Sequence, residues 1–206
     1  MFRHNSKYQY FFIFWYYEYR LTYCSYLLSW RRGLLTSEKK RQMKTETIVL
    51  VSAIFLTGLM AGIFFTWSNT VKPGIGKLSD LEYLRALQSM NRVILNYVFI
   101  VVFLGAIVTV ALVPVFYSHL YPKNIFWLFI FTLVVYWIGV FGVTVLGNIP
   151  LNETLDKTNL ESISLKEMKD LRRSIEIKWN NLNLIRSICS AITFLTLVVS
   201  FLFLDK

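Results

Sequence analysis

Four stretches of this chain contain no Asp, Glu, Lys or Arg: Thr47 to Val71, Val93 to Pro122, Asn124 to Leu151 and Ser187 to Leu204. Each holds an apolar run of about 18 or more residues, long enough for a helix to cross the roughly 30 Å hydrocarbon core of a bilayer. In lipid a spanning segment must satisfy its own backbone N–H and C=O groups, so these runs are expected to be transmembrane helices over about residues 47–67, 93–117, 125–147 and 184–204. Composition agrees, because 55% hydrophobic against 17% charged in 206 residues is not the balance of a water-soluble domain. Little chain remains for a separate soluble domain, and any chemistry belongs inside the bundle or at its mouth.

The net charge of +10 comes without any nucleic-acid recognition motif, and the basic residues cluster between apolar spans, so the bilayer and not nucleic acid is the partner they imply. Cys24 and Cys189 lie in unrelated regions, and His4 and His119 are the only histidines. Neither a metal site nor a histidine-held cofactor can be built from that set, and none is expected.

Residues 1–42 differ from the rest of the chain: thirteen are aromatic, none is Ala or Val, and no h-region leads to a cleavage site. Met43 opens Met-Lys-Thr-Glu-Thr directly before an apolar run. The first segment therefore reads as a leader, disordered or untranslated, ahead of a membrane domain over 43–206. Counted from Met43, the side holding the termini and the loop after Tyr117 carries three Lys or Arg, against eleven on the other side. That asymmetry predicts a multi-pass protein of the cell membrane with both long loops cytoplasmic.

Ser79 with Glu82, and Ser164 with Glu167, are capping-box pairs ahead of helically spaced runs. They predict a second helix running unbroken from Asp80 to Val113 and a fourth from Leu165 to Leu204, about 50 Å and 60 Å long, both starting in water. Lys72-Pro-Gly74 and Asn148-Ile-Pro-Leu-Asn152 are breaker patterns expected to stop the first and third helices near the membrane surface. The fold class is all-α, an up-and-down four-helix bundle whose second and fourth helices protrude on one side. Gly58-xxx-Gly62 in the first span is expected to serve close helix packing.

Polar residues on the protruding helices recur at three- and four-residue steps. One stripe holds Arg85, Gln88, Ser89, Arg92 and Asn96; the other holds Glu176, Trp179, Asn180, Asn183, Arg186, Ser187 and Ser190. Amides that enter hydrocarbon normally turn toward the bundle interior, so Asn96 and Asn183 are expected there, with Asn148 and Asn152 arriving from the third span.

Three segments carry a family resemblance: Gln88-Ser-Met-Asn91, Asn148-Ile-Pro-Leu-Asn152, and Glu176-Ile-Lys-Trp179-Asn-Asn-Leu-Asn183-Leu-Ile-Arg186. Together they resemble the anthrone oxygenase-like family of small four-span membrane proteins, over about Met43 to Leu204. The resemblance implies a four-helix integral membrane fold. Fungal members of that family oxidise anthrones to anthraquinones without an evident metal or flavin.

Two functions fit these residues. In the first, a small phenolic molecule stacks on Trp179 and is held by Gln88, Asn91, Asn96, Asn148, Asn152 and Asn183, with Arg186 stabilising its anion and Glu176 as the base. In the second, the same cluster is interhelical glue in a non-enzymatic protein that binds a lipid or a partner. The sequence leaves the oligomeric state open.

Overall fold

The structure, a computed structural model, describes residues 33, 36, 37, 44–118 and 123–204. The chain divides into two compact units, Met1–Thr45 and Glu46–Lys206. The leader expected over 1–42 falls almost wholly outside the described residues; within it, Thr36 Oγ1 donates to the Gly33 carbonyl at 2.8 Å.

The second unit is helical apart from short turns, and no strand occurs among its described residues. We label its helices α1 (Lys44–Ile75), α2 (Asp80–Ile94), α3 (Tyr97–Tyr117), α4 (Lys123–Lys157) and α5 (Leu165–Leu204). All but α2 are long and apolar enough to cross a membrane. Their outward residues are as apolar as their core: Phe55, Leu146 and Leu202 are 63%, 82% and 62% exposed. Such an outer surface belongs in lipid, and the chain is a multi-pass membrane protein.

Both capping boxes form. Ser79 N–H donates to Glu82 Oε2 at 3.0 Å while Glu82 N–H reaches Ser79 Oγ at 3.5 Å; Ser164 and Glu167 repeat the exchange at 2.8 and 3.3 Å. The unbroken helix expected from Asp80 to Val113 does not form. Leu95, at φ −76° and ψ 33°, ends α2, and Asn96 turns extended, at φ −81° and ψ 161°. Asn96 Oδ1 accepts the Phe99 N–H at 3.0 Å and its Nδ2 donates to the Val93 carbonyl at 2.9 Å, so one amide closes α2 and starts α3. A short amide side chain competes for backbone groups in this way, and tertiary context decides when it wins.

Of the two proline motifs, Lys72-Pro-Gly74 ends α1 as expected, at Ile75, whereas α4 departs from expectation and runs past Pro150 to Lys157. A widened π turn precedes each proline, Trp67–Val71 and Thr144–Asn148, and the residue just before the proline bonds five residues back: Lys72 to the Trp67 carbonyl, Ile149 to the Thr144 carbonyl. The following α segment restarts with proline in its first turn, where no N–H is needed.

Helices α4 and α5 run antiparallel in close contact. A Cβ added to Gly139 would collide with Cys189 Sγ, and one at Gly147 would sit 2.8 Å from Leu182. Gly58 packs on the Phe194 ring, whereas a Cβ on Gly62 would meet nothing within 4 Å, so only the first glycine of that pair serves packing among the described residues. One apolar core fills the membrane part, around Met60, Val110, Phe129, Tyr136 and Leu197. A second core, of Tyr83, Leu84, Leu87, Leu155, Met168, Ile175 and Trp179, binds α2 to the protruding ends of α4 and α5.

Candidate functional site

Between the two cores the buried residues of α5 turn polar. Trp179, Asn183, Arg186 and Ser190 follow at helical steps, all buried. A charge in that position must find compensation. Arg186 Nη2 donates to Asn183 Oδ1 at 3.0 Å, and its Nη1 lies 3.5 Å from Thr144 Oγ1 on α4. Its Cζ stands 4.5 Å from the centroid of the Phe64 ring and 5.3 Å from that of Trp179, at distances where aromatic faces attract a cation. Its Nε is buried without a hydrogen-bond partner among the described residues.

Asn183 ties this arrangement to α1, donating through Nδ2 to the Phe64 carbonyl at 3.2 Å and to Ser68 Oγ at 2.9 Å. Asn152 Oδ1 accepts the Trp179 indole N–H at 2.9 Å and so fixes that ring. Asn148 lies on α4 one turn from both Thr144 and Asn152. It is 2% exposed, and both its amide atoms lack partners among the described residues.

Five residues singled out in the sequence, Asn148, Asn152, Trp179, Asn183 and Arg186, thus share one end of the bundle. The others are placed differently. Gln88 Nε2 donates to the carbonyls of Leu155 and Thr158, at 2.6 and 3.2 Å, closing the end of α4. Asn91 is half-buried on α2 with an unpartnered Nδ2, and Asn96 is an exposed helix cap. Glu176 accepts from Arg172 Nε at 3.1 Å, and Arg172 also holds Asp80 Oδ1 and the carbonyls of Gly76 and Leu78. Glu176 therefore belongs to an ion-pair knot joining α5 to the α1–α2 turn. That knot also faces Tyr83, whose hydroxyl is held above its ordinary pKa by burial first and the Glu176 charge second.

Sequence reasoning missed the contribution of α1: Phe64, Trp67 and Ser68. The polar run Trp67-Ser68-Asn69-Thr70, closing an otherwise apolar stretch, was the available signal. Among the described residues no group of three or more His, Cys, Asp or Glu is placed to hold a metal ion.

Four apolar helices enclosing a buried arginine–amide cluster at one end define an integral membrane helical bundle with a polar interior site. Residues 92–196, about half of the chain, match the anthrone oxygenase family, and the chain belongs to it. No curated protein and no solved structure matches the chain.

Proposed function

We propose that the chain binds a small planar phenolic molecule beside Arg186 and holds its oxygen as an anion, in support of the oxidation that gives the family its name. One observation carries this reading. Arg186 is buried, its hydrogen-bond partners among the described residues are neutral, and its Nε lies unpartnered in the same cluster as the unpartnered amide of Asn148. Interhelical glue accounts for Asn152, Asn183 and Gln88, whose bonds are made within the protein. It leaves Arg186 Nε and Asn148 unexplained, since buried polar groups normally find partners.

An anionic oxygen suits both groups. In the family reaction a methylene carbon of an anthrone becomes a carbonyl, one atom of dioxygen being retained and the other leaving as water with the two methylene hydrogens. Removing the first proton spreads negative charge onto the ring oxygens, where a pre-placed guanidinium in a water-poor site stabilises it. The bonded cluster includes no carboxylate among the described residues, so its part is to hold the anion.

The test is Arg186→Gln in lipid nanodiscs, read by binding of a hydroxylated anthrone and by quinone formation. Glutamine keeps a hydrogen-bonding head but loses the charge, so turnover should fall by about 10² or more with the bundle still folded. Binding and turnover equal to wild type overturn the reading.

The positive-charge asymmetry supports a cytoplasmic position for the α1–α2 and α4–α5 loops, and hence for this end of the bundle. In a background lacking Cys24 and Cys189, a cysteine at position 162 should resist an impermeant thiol reagent in intact cells, while one appended after Lys206 should label. The reverse pattern turns the site outward.

A further inference from the structure

We infer that Trp67 is a ligand-binding residue of this same site, donating its indole N–H to a second ligand oxygen, so that the site takes a molecule with two acceptor oxygens along one edge, a hydroxy-ketone or its anion, in preference to a molecule with one. The inference rests on the proposed role of Arg186 as an anion holder. Trp67 follows Phe64 by one turn of α1. The Phe64 ring contacts the Arg186 guanidinium at 4.5 Å, and the Trp67 ring lies 4.2 Å from that of Trp179, whose centroid is 5.3 Å from Arg186 Cζ. Phe64, Arg186, Trp179 and Trp67 therefore form a continuous wall.

The two indoles of that wall differ. Trp179 Nε1 donates to Asn152, whereas Trp67 Nε1 is buried with no partner among the described residues. Buried indole N–H groups usually have one. Counted with Arg186 Nε and the Asn148 amide, the unpartnered groups of the cluster present four N–H hydrogens and a single carbonyl oxygen. A complementary ligand must bring acceptors, and more than the one oxygen that Arg186 would hold.

Because Trp67 Nε1 makes no bond among the described residues, Trp67→Phe removes a donor without breaking a hydrogen bond and keeps an aromatic ring against Trp179. A purely structural Trp67 predicts equal effects on all ligands; a ligand contact predicts a selective one. The experiment compares unsubstituted anthrone, with one carbonyl oxygen, and an anthrone hydroxylated beside that carbonyl, each binding to full-length protein in nanodiscs. Wild type should prefer the hydroxylated compound by about 10-fold, and Trp67→Phe should lose that preference, its affinity falling further for the hydroxylated compound than for anthrone while the protein stays folded. A preference that survives in Trp67→Phe overturns the proposal. So does loss of stability with equally weakened binding of both compounds, which makes Trp67 a packing residue. Arg186→Gln in parallel separates the two readings: if it leaves both affinities unchanged, the anion site fails, whatever Trp67 does.

Discussion

Asn183 Oδ1 accepts Arg186 Nη2 at 3.0 Å from one turn earlier on the same helix, while the Nδ2 of that amide reaches across to Ser68 Oγ at 2.9 Å. The amide thus aims the guanidinium and anchors it to α1 without neutralising it. Asn183→Asp should leave the aim and remove the free charge, since a carboxylate in that place pairs with Arg186 and can accept from the Ser68 hydroxyl. Affinity for a phenolate ligand should fall at least about 10-fold, because the site then holds its own anion. Titration of the hydroxylated anthrone, alongside thermal unfolding, checks this. An unchanged affinity in a folded variant would mean that ligand charge is not what Arg186 reads.

Asn96 lies outside the site, and its prediction is the opposite one. As the cap of α3 it satisfies the Phe99 N–H. Asn96→Ala should cost about 1 kcal/mol of stability, as measured by chemical unfolding, with ligand affinity intact. An affinity loss without a stability loss would return Asn96 to the site.

Asn96 also shows where sequence stopped being sufficient. The four spans were legible because charge-free runs of that length have few other uses, and the capping boxes because both partners of each box lie within four residues. The α5 stripe was legible too, since Asn183 and Arg186 meet within one helix turn. What failed was the choice of partner for Asn96 and Glu176, which spacing along one helix does not fix. The same spacing fits an Asn that caps its own backbone and one that faces a neighbour. Glu176 shares a stripe with Arg186, yet Arg172, four residues before Glu176, captures it. Phe64 sits where α1 is apolar on all sides, and periodicity there cannot tell a lipid-facing ring from one turned toward an arginine. Pro150 read as a breaker because a π turn ahead of a proline leaves no compositional mark.

Acid should loosen α2 first at its start. The Ser79 hydroxyl and then the Ser79 backbone N–H hold the Glu82 carboxyl below its ordinary range. A folded-state pKa below the unfolded one contributes stability that is fully present above the unfolded pKa, about 4.3, and is lost as pH falls through the lower, folded value. Glu82→Gln keeps a hydrogen-bonding head and cannot titrate here. The stability advantage of wild type over this variant should be constant above about pH 5.5 and shrink steadily below about pH 4.5. The Ser164–Glu167 box is common to both proteins and cancels. A difference independent of pH would show that the Glu82 charge contributes nothing to the cap.

The close approach of α4 and α5 at Gly139 is a separate source of stability and can be tested in isolation from the ligand. A Cβ at this position would overlap both Sγ and Cβ of Cys189, so Gly139→Ala must push the helices apart or force Cys189 off its rotamer. Overpacking of that kind costs about 1–3 kcal/mol. Cys189→Gly alone leaves a gap and should destabilise as well. The double variant replaces the Cys189 side chain on α5 by a smaller methyl on α4, and its cost should be less than the sum of the two by about 1 kcal/mol or more, the coupling expected of residues in direct contact. Unfolding free energies of the four proteins in one detergent measure that coupling. Strict additivity would mean that the helices are not in contact at this level.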